Sequence, residues 1–152
     1  QFLENKLKFS TYIKEAVVLG EKRPFITAII CIDADIVGRW AEKQAITYTT
    51  YQDLSAKDKV YNLIHKEIKE INQTLPDSTP IKRFALLFKE LDPDDGELTR
   101  TRKVRRNTVS ERYGQLIETL YSEKQKVNLQ SHIQYQDGSS REMQGLIKIM
   151  DV

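Results

Sequence analysis

Eight consecutive residues, Phe25-Ile26-Thr27-Ala28-Ile29-Ile30-Cys31-Ile32, include a single polar side chain, Thr27. Pro24 precedes them and Asp33 follows. A run this short, β-branched and bounded by turn formers reads as a strand buried on both faces. Upstream, Ala16-Val17-Val18-Leu19-Gly20 is a second short β-branched run, and Gly20-Glu21-Lys22-Arg23-Pro24 between them has turn composition. The two runs predict a hairpin whose second strand lies in the core. Cys31 within that strand reads as a small core residue rather than a nucleophile.

The remaining periodicities are mainly helical. Phe2, Leu3, Leu7 and Phe9 suggest a short helix ending near Ser10. Ile36, Val37, Trp40 and Ala41 recur at helical spacing, with Asp33 or Asp35 available as N-cap. Ala45 to Asp53 reads as a connector. The strongest helix is expected from Ser55, with Ser55 and Asp58 approximating a capping box; Val60, Leu63, Ile64, Ile68, Ile71 and Leu75 form its apolar stripe and Pro76 ends it. His65 beside that stripe reads as a packing histidine. Phe84-Ala85-Leu86-Leu87-Phe88 is a further strand candidate. Thr108 and Glu111 form a capping box for a helix that turns Val109, Tyr113, Leu116, Ile117 and Leu120 inward. Val127, Leu129, Ile133 and Tyr135 then alternate with polar residues, Asp137-Gly138-Ser139-Ser140 turns the chain, and Leu146 to Ile149 returns it as a terminal β-hairpin. The order of elements predicts an α+β fold, small β-sheets flanked by helices with a C-terminal β-hairpin.

Composition narrows the classes. With 152 residues, 39% hydrophobic and 30% charged at a net charge of +2, the chain suits one ordinary domain rather than a disordered segment. No apolar run approaches the roughly 18–20 residues that span a bilayer. The opening Gln1-Phe2-Leu3-Glu4-Asn5-Lys6 has no secretory pattern, and one cysteine allows no internal disulfide, which fits a cytoplasmic setting. Two histidines without cysteine partners give no structural metal site. The only methionines are Met143 and Met150, so the chain is expected to be a piece of a longer protein.

One segment could carry chemistry. Glu90, Asp92, Asp94, Asp95 and Glu97 form an acidic stretch, and Leu98-Thr99-Arg100-Thr101-Arg102-Lys103-Val104-Arg105-Arg106 follows with five basic residues in nine. Three readings compete: a solvated, self-neutralising loop; a patch for nucleic acid or another anion; and a mobile loop that delivers one cation to a phosphate-bearing active site. Composition does not separate the last two, although no aromatic residue interleaves the basic run as base stacking would require.

Two blocks carry a resemblance. Glu4 to Ser10 followed by Tyr12-Ile13-Lys14-Glu15-Ala16-Val17-Val18-Leu19-Gly20 resembles the opening of the C-terminal domain of AMP-forming acyl-CoA synthetases. Leu91-Asp92-Pro93 and Gly96 to Arg106 resemble the same domain's lysine motif, in the Leu-Thr-x-Thr-x-Lys form of the long-chain fatty acid branch. The similarity covers residues 4–121, and 122–152 read as a terminal hairpin extension. It implies that the chain is the mobile C-terminal domain of an adenylate-forming ligase whose large N-terminal domain lies outside it. In such enzymes a fatty acid carboxylate attacks the α-phosphate of ATP, and coenzyme A then displaces AMP.

The resemblance makes Lys103 the adenylation residue. A flexible ammonium on a loop suits a group that must enter, act and withdraw. Thr99 and Thr101 are expected to fix the loop through short bonds to backbone. Arg100, Arg102, Arg105 and Arg106 are expected to hold the loop against the acidic stretch or the missing domain; a lesser option is contact of Arg100, Arg102, Arg105 and Gly20 with phosphates or coenzyme A. Gly20 matches a glycine of the family and by itself reads as a turn residue. The broad superfamily motif has glycine where Arg102 stands.

The resemblance also implies ATP and Mg2+ held mainly by the N-terminal domain, and coenzyme A as co-substrate. The implied partners are that domain and a fatty acid, with no nucleic acid, and it leaves room for peripheral membrane association of the whole enzyme. The isolated chain is expected to be inactive. The alternatives are a non-enzymatic module that binds nucleic acid or an acidic partner through residues 98–106, and a ligase of the same superfamily acting on an aryl or amino acid.

Overall fold

The computed structural model describes residues 2–77, 79–135 and 137–152. Strands β1 (Ile13–Leu19) and β2 (Ile26–Ile32) form the expected antiparallel pair, with Val17 opposite Ile29 and Leu19 opposite Thr27. Along β2, Ala28, Ile30 and Ile32 point into one apolar cluster and Ile29 and Cys31 into another. All five are at most 1% exposed, which is why the run tolerates so little polarity.

On the first face lie α1 (Phe2–Leu7), α2 (Ala34–Lys43), α3 (Tyr51–Ser55) and α4 (Asp58–Asn72). Asp33 caps α2 by accepting from the Ile36 amide at 3.0 Å. The expected plain connector contains α3, capped by the Thr50 hydroxyl, which accepts from the Asp53 amide at 3.0 Å. This short helix displaces the start expected for α4. Ser55 is the last residue of α3 and donates to the Gln52 carbonyl at 3.0 Å, so its capping box with Asp58 does not form. Lys57 holds the N-cap position of α4 with no side-chain cap bond.

Val60, Ile64 and Ile68 are fully buried on α4, as is Tyr61, whose hydroxyl donates to the Lys148 carbonyl at 2.9 Å and accepts from the Leu86 amide at 3.1 Å. The helix stops at Asn72 rather than running to Pro76. Proline disfavours helical geometry at Leu75, and the Asn72 carboxamide pairs with both the amide and the carbonyl of Ile81 at 2.9 Å. His65 stacks against Phe84 with centroids 6.5 Å apart, a packing role.

Strand β3 (Ile81–Leu86) begins three residues before the expected Phe84 and runs parallel to β2, with Ala28 beside Phe84. The opposite face of the sheet is covered by α5 (Arg106–Arg112), α6 (Gly114–Leu120) and a hairpin of β4 (Lys126–Gln134) and β5 (Ser140–Lys148). Val109, Tyr113, Leu116, Ile117 and Leu120 all face inward as expected. The Thr108–Glu111 capping box is not used, because α5 starts at Arg106 and Thr108 already lies inside it. Tertiary contacts set that earlier start: the Arg105 amide donates to the Glu97 carbonyl at 2.8 Å, and the Arg106 guanidinium is bound to Glu4.

After β5 the chain adds β6 (Met150–Asp151) to the free edge of β3, giving a sheet ordered β1-β2-β3-β6. Arg83 locks the two layers there. Only 6% exposed, it donates to the carbonyls of Leu120 at 3.0 Å and Lys124 at 2.7 Å and to Asp151 at 2.8 Å. It thus satisfies carbonyls that the end of α6 leaves unpaired. The fold is α+β, small sheets flanked by helices with a hairpin near the C-terminus.

Replacing Ile68 with Asp puts an unpaired carboxylate into the centre of the first cluster. The Ile68→Asp domain is expected to lose its cooperative thermal transition in circular dichroism, and a native-like melt would contradict the placement of α4.

Candidate functional site

The Leu98–Val104 segment folds into a small closed loop. Leu98 and Val104 form an antiparallel bridge, and the Thr99 amide donates to the Lys103 carbonyl at 2.8 Å. The Thr99 hydroxyl accepts from the Lys103 amide at 3.0 Å and lies 3.1 Å from the Thr101 hydroxyl. Thr99 therefore binds backbone, whereas the Thr101 hydroxyl meets that of Thr99. Lys103 is exposed, and among the described residues its ammonium has no carboxylate partner. Arg102 sits at φ 63°, the left-handed region that favours glycine. An L-residue there is disfavoured by roughly 1–2 kcal/mol. The hydrogen bond from its own amide to the Thr99 carbonyl, at 2.9 Å, helps hold the turn closed.

The base of this loop is fixed by buried charges. Glu97 is fully buried and is contacted by Lys89, by the Tyr113 hydroxyl and by Arg112, the last at 3.1 Å. Lys89, 5% exposed, also pairs with Asp95 at 2.8 Å. The other Asp95 oxygen accepts from the Tyr135 hydroxyl at 2.8 Å. Burial opposes ionisation of Asp95, but the bonds from Lys89 and Tyr135 outweigh it and hold the carboxyl below its ordinary range. Burial, with Glu97 alongside, pushes the Tyr113 phenol well above its ordinary value. Gly96 supplies the positive φ, 77°, of the turn that brings Asp95 and Glu97 inward.

These contacts correct the expected role of the arginines. Arg102 and Arg106 do hold the loop, but their carboxylates come from the N-terminal elements rather than from the acidic stretch. Arg102 lies 3.3 Å from Glu15, which also pairs with Lys8, and Arg106 binds Glu4. Asp95 and Glu97 of the acidic stretch take Lys89 and Arg112, and Glu90 lies 3.6 Å from Lys14. Of the five basic residues in the segment, Arg102 and Arg106 are thus engaged by carboxylates of the N-terminal elements. Arg100 and Arg105 are exposed and have no ion pair among the described residues. Gly20 does not approach them; it lines an open groove of about 820 Å³ with Arg106, Asn107 and Ser110. A side chain at Gly20 would put a Cβ 3.1 Å from Ile26.

Cys31 lies away from the solvent with its thiol donating to the Lys89 carbonyl at 3.5 Å, and burial pushes its pKa up to about 12. Among the described residues no three His, Cys, Asp or Glu side chains converge to hold a metal, and no helix is long and apolar enough to cross a membrane. Sequence reasoning missed Lys89, Arg112 and Tyr135, as well as Glu4 and Glu15. Glu4 and Glu15 stand in the first family-like block, but nothing in the sequence pairs them with Arg106 and Arg102, 102 and 87 residues away. Lys89, Arg112 and Tyr135 lie in no motif.

Comparison with known proteins gives a consistent result. Residues 1–125 match the family described as AMP-binding enzyme C-terminal domain. The chain is 32% identical over 121 residues to the long-chain-fatty-acid–CoA ligase FadD15 of Mycobacterium tuberculosis, covering 79% of the chain and 20% of that protein. It is 26% identical over 132 residues to the long-chain-fatty-acid–CoA ligase ACSBG1 of Rattus norvegicus, covering 75% and 18%. The chain therefore spans about a fifth of the length of these relatives. The adenylation domain of a carboxylate reductase from Mycobacterium chelonae superposes with a TM-score of 0.61 at 20% identity, covering 78% of this chain and 17% of that one. The A-PCP didomain of carboxylic acid reductase from Segniliparus rugosus, in complex with AMP, gives a TM-score of 0.60 at 18% identity, over 79% and 15%. At these identities the structural likeness concerns the fold.

Glu97→Ala strands Lys89, Arg112 and Tyr113 without their shared acceptor. It is expected to destabilise the domain by about 3–5 kcal/mol in urea denaturation, and a loss under 1 kcal/mol would contradict the clamp. Cys31 is expected to resist iodoacetamide at pH 8 in the native domain and to react once urea unfolds it, as intact-mass measurement would record.

Proposed function

The chain belongs to the AMP-binding enzyme C-terminal domain family, and from that premise we propose that it is the C-terminal domain of a long-chain fatty acyl-CoA synthetase. The whole enzyme would activate a fatty acid with ATP, releasing pyrophosphate and leaving acyl-AMP. Coenzyme A would then take the acyl group as a thioester and release AMP. The names of the relatives support the long-chain substrate, as does the Leu98-Thr99-x-Thr101-x-Lys103 pattern. The observation that carries the reading is an exposed Lys103 ammonium without a partner among the described residues, on a loop whose base is clamped by buried charges.

In the adenylation step, negative charge builds around the α-phosphate as the carboxylate attacks it. A preorganised ammonium that enters a water-poor cleft stabilises that charge by a few kcal/mol. Lys103 would supply it. Thr99 and Thr101 would keep the loop in a shape that presents the ammonium outward, and Arg102 and Arg106 would tie the loop to β1 and α1. Lys103 withdraws with the loop when the domain moves, so the thioester step need not use it. ATP and Mg2+ would be held mainly by the N-terminal domain. Among the described residues no three His, Cys, Asp or Glu side chains converge to hold the ion. Coenzyme A contacts by Arg100, Arg102, Arg105 or Gly20 are a secondary part of the reading. Of these, Arg100 and Arg105 have charges left unpaired by the described residues.

In the full-length protein, Lys103→Ala is expected to slow ATP- and palmitate-dependent acyl-adenylate formation by about 100-fold or more. Thioester formation from supplied acyl-adenylate should stay within about 2-fold of wild type. Equal loss in both half-reactions would assign Lys103 a structural role instead.

A further inference from the structure

The family match ends at residue 125, and the β4–β5 hairpin lies beyond it. That hairpin nevertheless reaches the lysine loop. We infer that Tyr135, the residue just after β4, is a positioning residue for the Lys103 loop, acting through the Asp95–Lys89–Glu97 cluster. The inference rests on the functional reading above for its catalytic consequence, though not for its structural part.

A chain of direct contacts carries it. The Tyr135 hydroxyl donates to Asp95 Oδ1 at 2.8 Å, and the Tyr135 amide donates to the Ser139 carbonyl at 2.9 Å, so the donor is itself held by the closed hairpin. Asp95 Oδ2 pairs with Lys89 at 2.8 Å, and Lys89 shares its ammonium with Glu97. The Glu97 carbonyl accepts from the Arg105 amide at 2.8 Å, one residue outside the Leu98–Val104 bridge that closes the loop. Lys89 is thus divided between two carboxylates. If Asp95 loses the Tyr135 donor, Lys89 is the one direct side-chain partner its carboxylate keeps among the described residues, with Arg141 acting at longer range, and the ammonium is drawn toward Asp95 and away from Glu97. The residue that loosens next is the one whose backbone anchors the loop.

The far end of the hairpin is anchored independently. Gln52 donates to the Gln144 carbonyl at 2.9 Å, and the Lys148 ammonium donates to the Ala56 carbonyl at 2.7 Å. Val127, Leu129 and Ile147 are part of the core. Removing one hydroxyl at Tyr135 therefore leaves the packing of the hairpin intact and interrupts only its link to the loop. A supporting network of this kind sets how accurately a catalytic group is presented, and a misplacement near 1 Å can cost about 100-fold in rate.

The test uses the full-length protein with Tyr135→Phe, Lys103→Ala and the double variant. Hydrogen exchange at the Lys103 and Arg105 amides should quicken about 5-fold or more in Tyr135→Phe, while exchange in β1 and β2 and the melting temperature stay unchanged. Acyl-adenylate formation should fall about 5–10-fold, with thioester formation from supplied acyl-adenylate unaffected. In the Lys103→Ala background the same substitution should have no further effect on adenylation, because a residue acting through Lys103 is not additive with it. Unchanged loop exchange, equal loss in both half-reactions, or additive losses in the double variant would each overturn the inference. If Lys103→Ala alone leaves adenylation intact, the functional reading falls, and the exchange data then decide separately whether Tyr135 holds the loop. Should Tyr135→Phe fold poorly, Asp95→Asn tests the same division of Lys89 from the other side: it removes the competing charge and leaves the ammonium to Glu97. Exchange at the Lys103 and Arg105 amides should then stay at or below the wild-type rate, and a quickening there would overturn the inference.

Discussion

Glu97 is the point on which the two halves of the structure meet. A fully buried carboxylate is strongly unfavourable unless it is paired and hydrogen-bonded, and Glu97 is met by Lys89, Arg112 and Tyr113. Those three partners come from the segment after β3 and from the α5–α6 junction. The carbonyl of the same residue receives the Arg105 amide and starts α5. One buried charge therefore joins the central sheet, the helical layer and the loop that presents Lys103. With Asp95 included, two cations face two anions, so the cluster is neutral overall as a low-dielectric site requires.

The sheet explains why such a cluster can exist at all. Because β2 is buried on both faces, the chain must supply cover on each side, and it uses different material for each: α1 to α4 on one, α5, α6 and the terminal hairpin on the other. The second layer closes over the segment from Phe88 to Leu98, which excludes water from Lys89, Asp95 and Glu97. Arg83 performs the corresponding task at the other end of that layer, where it collects the carbonyls left at the end of α6. The lysine loop can then be exposed and still hold a single shape, since its anchor lies in the interior.

Much of the fold was legible in the residues. The β1–β2 pair, the α4 stripe through Ile64 and Ile68, the inward face of Val109 to Leu120 and the terminal hairpin follow from period and composition. Helix starts were less legible. Ser55 and Thr108 both stand in capping-box patterns, yet neither caps a helix. In one case α3 had already consumed the serine; in the other, contacts from Glu97 and Glu4 started the helix three residues sooner. Local cap chemistry is worth about 1 kcal/mol, and tertiary bonds of comparable size readily overrule it. Strand β6 is only two residues long and carries no periodic signal.

The sequence by itself determined the alternation of apolar periods and the family-like motif that contains Lys103. These are local in the chain, so neighbouring residues carry the information. The partners were decided only in three dimensions. Arg102 and Arg106 bind Glu15 and Glu4, lying 87 and 102 residues away, and Asp95 takes a hydroxyl from Tyr135, 40 residues on. A charged residue in a sequence can satisfy itself with any opposite charge or with water. Which one it meets depends on the layers that expel the water, and those exist only once the sheet, the helices and the hairpin have closed around it.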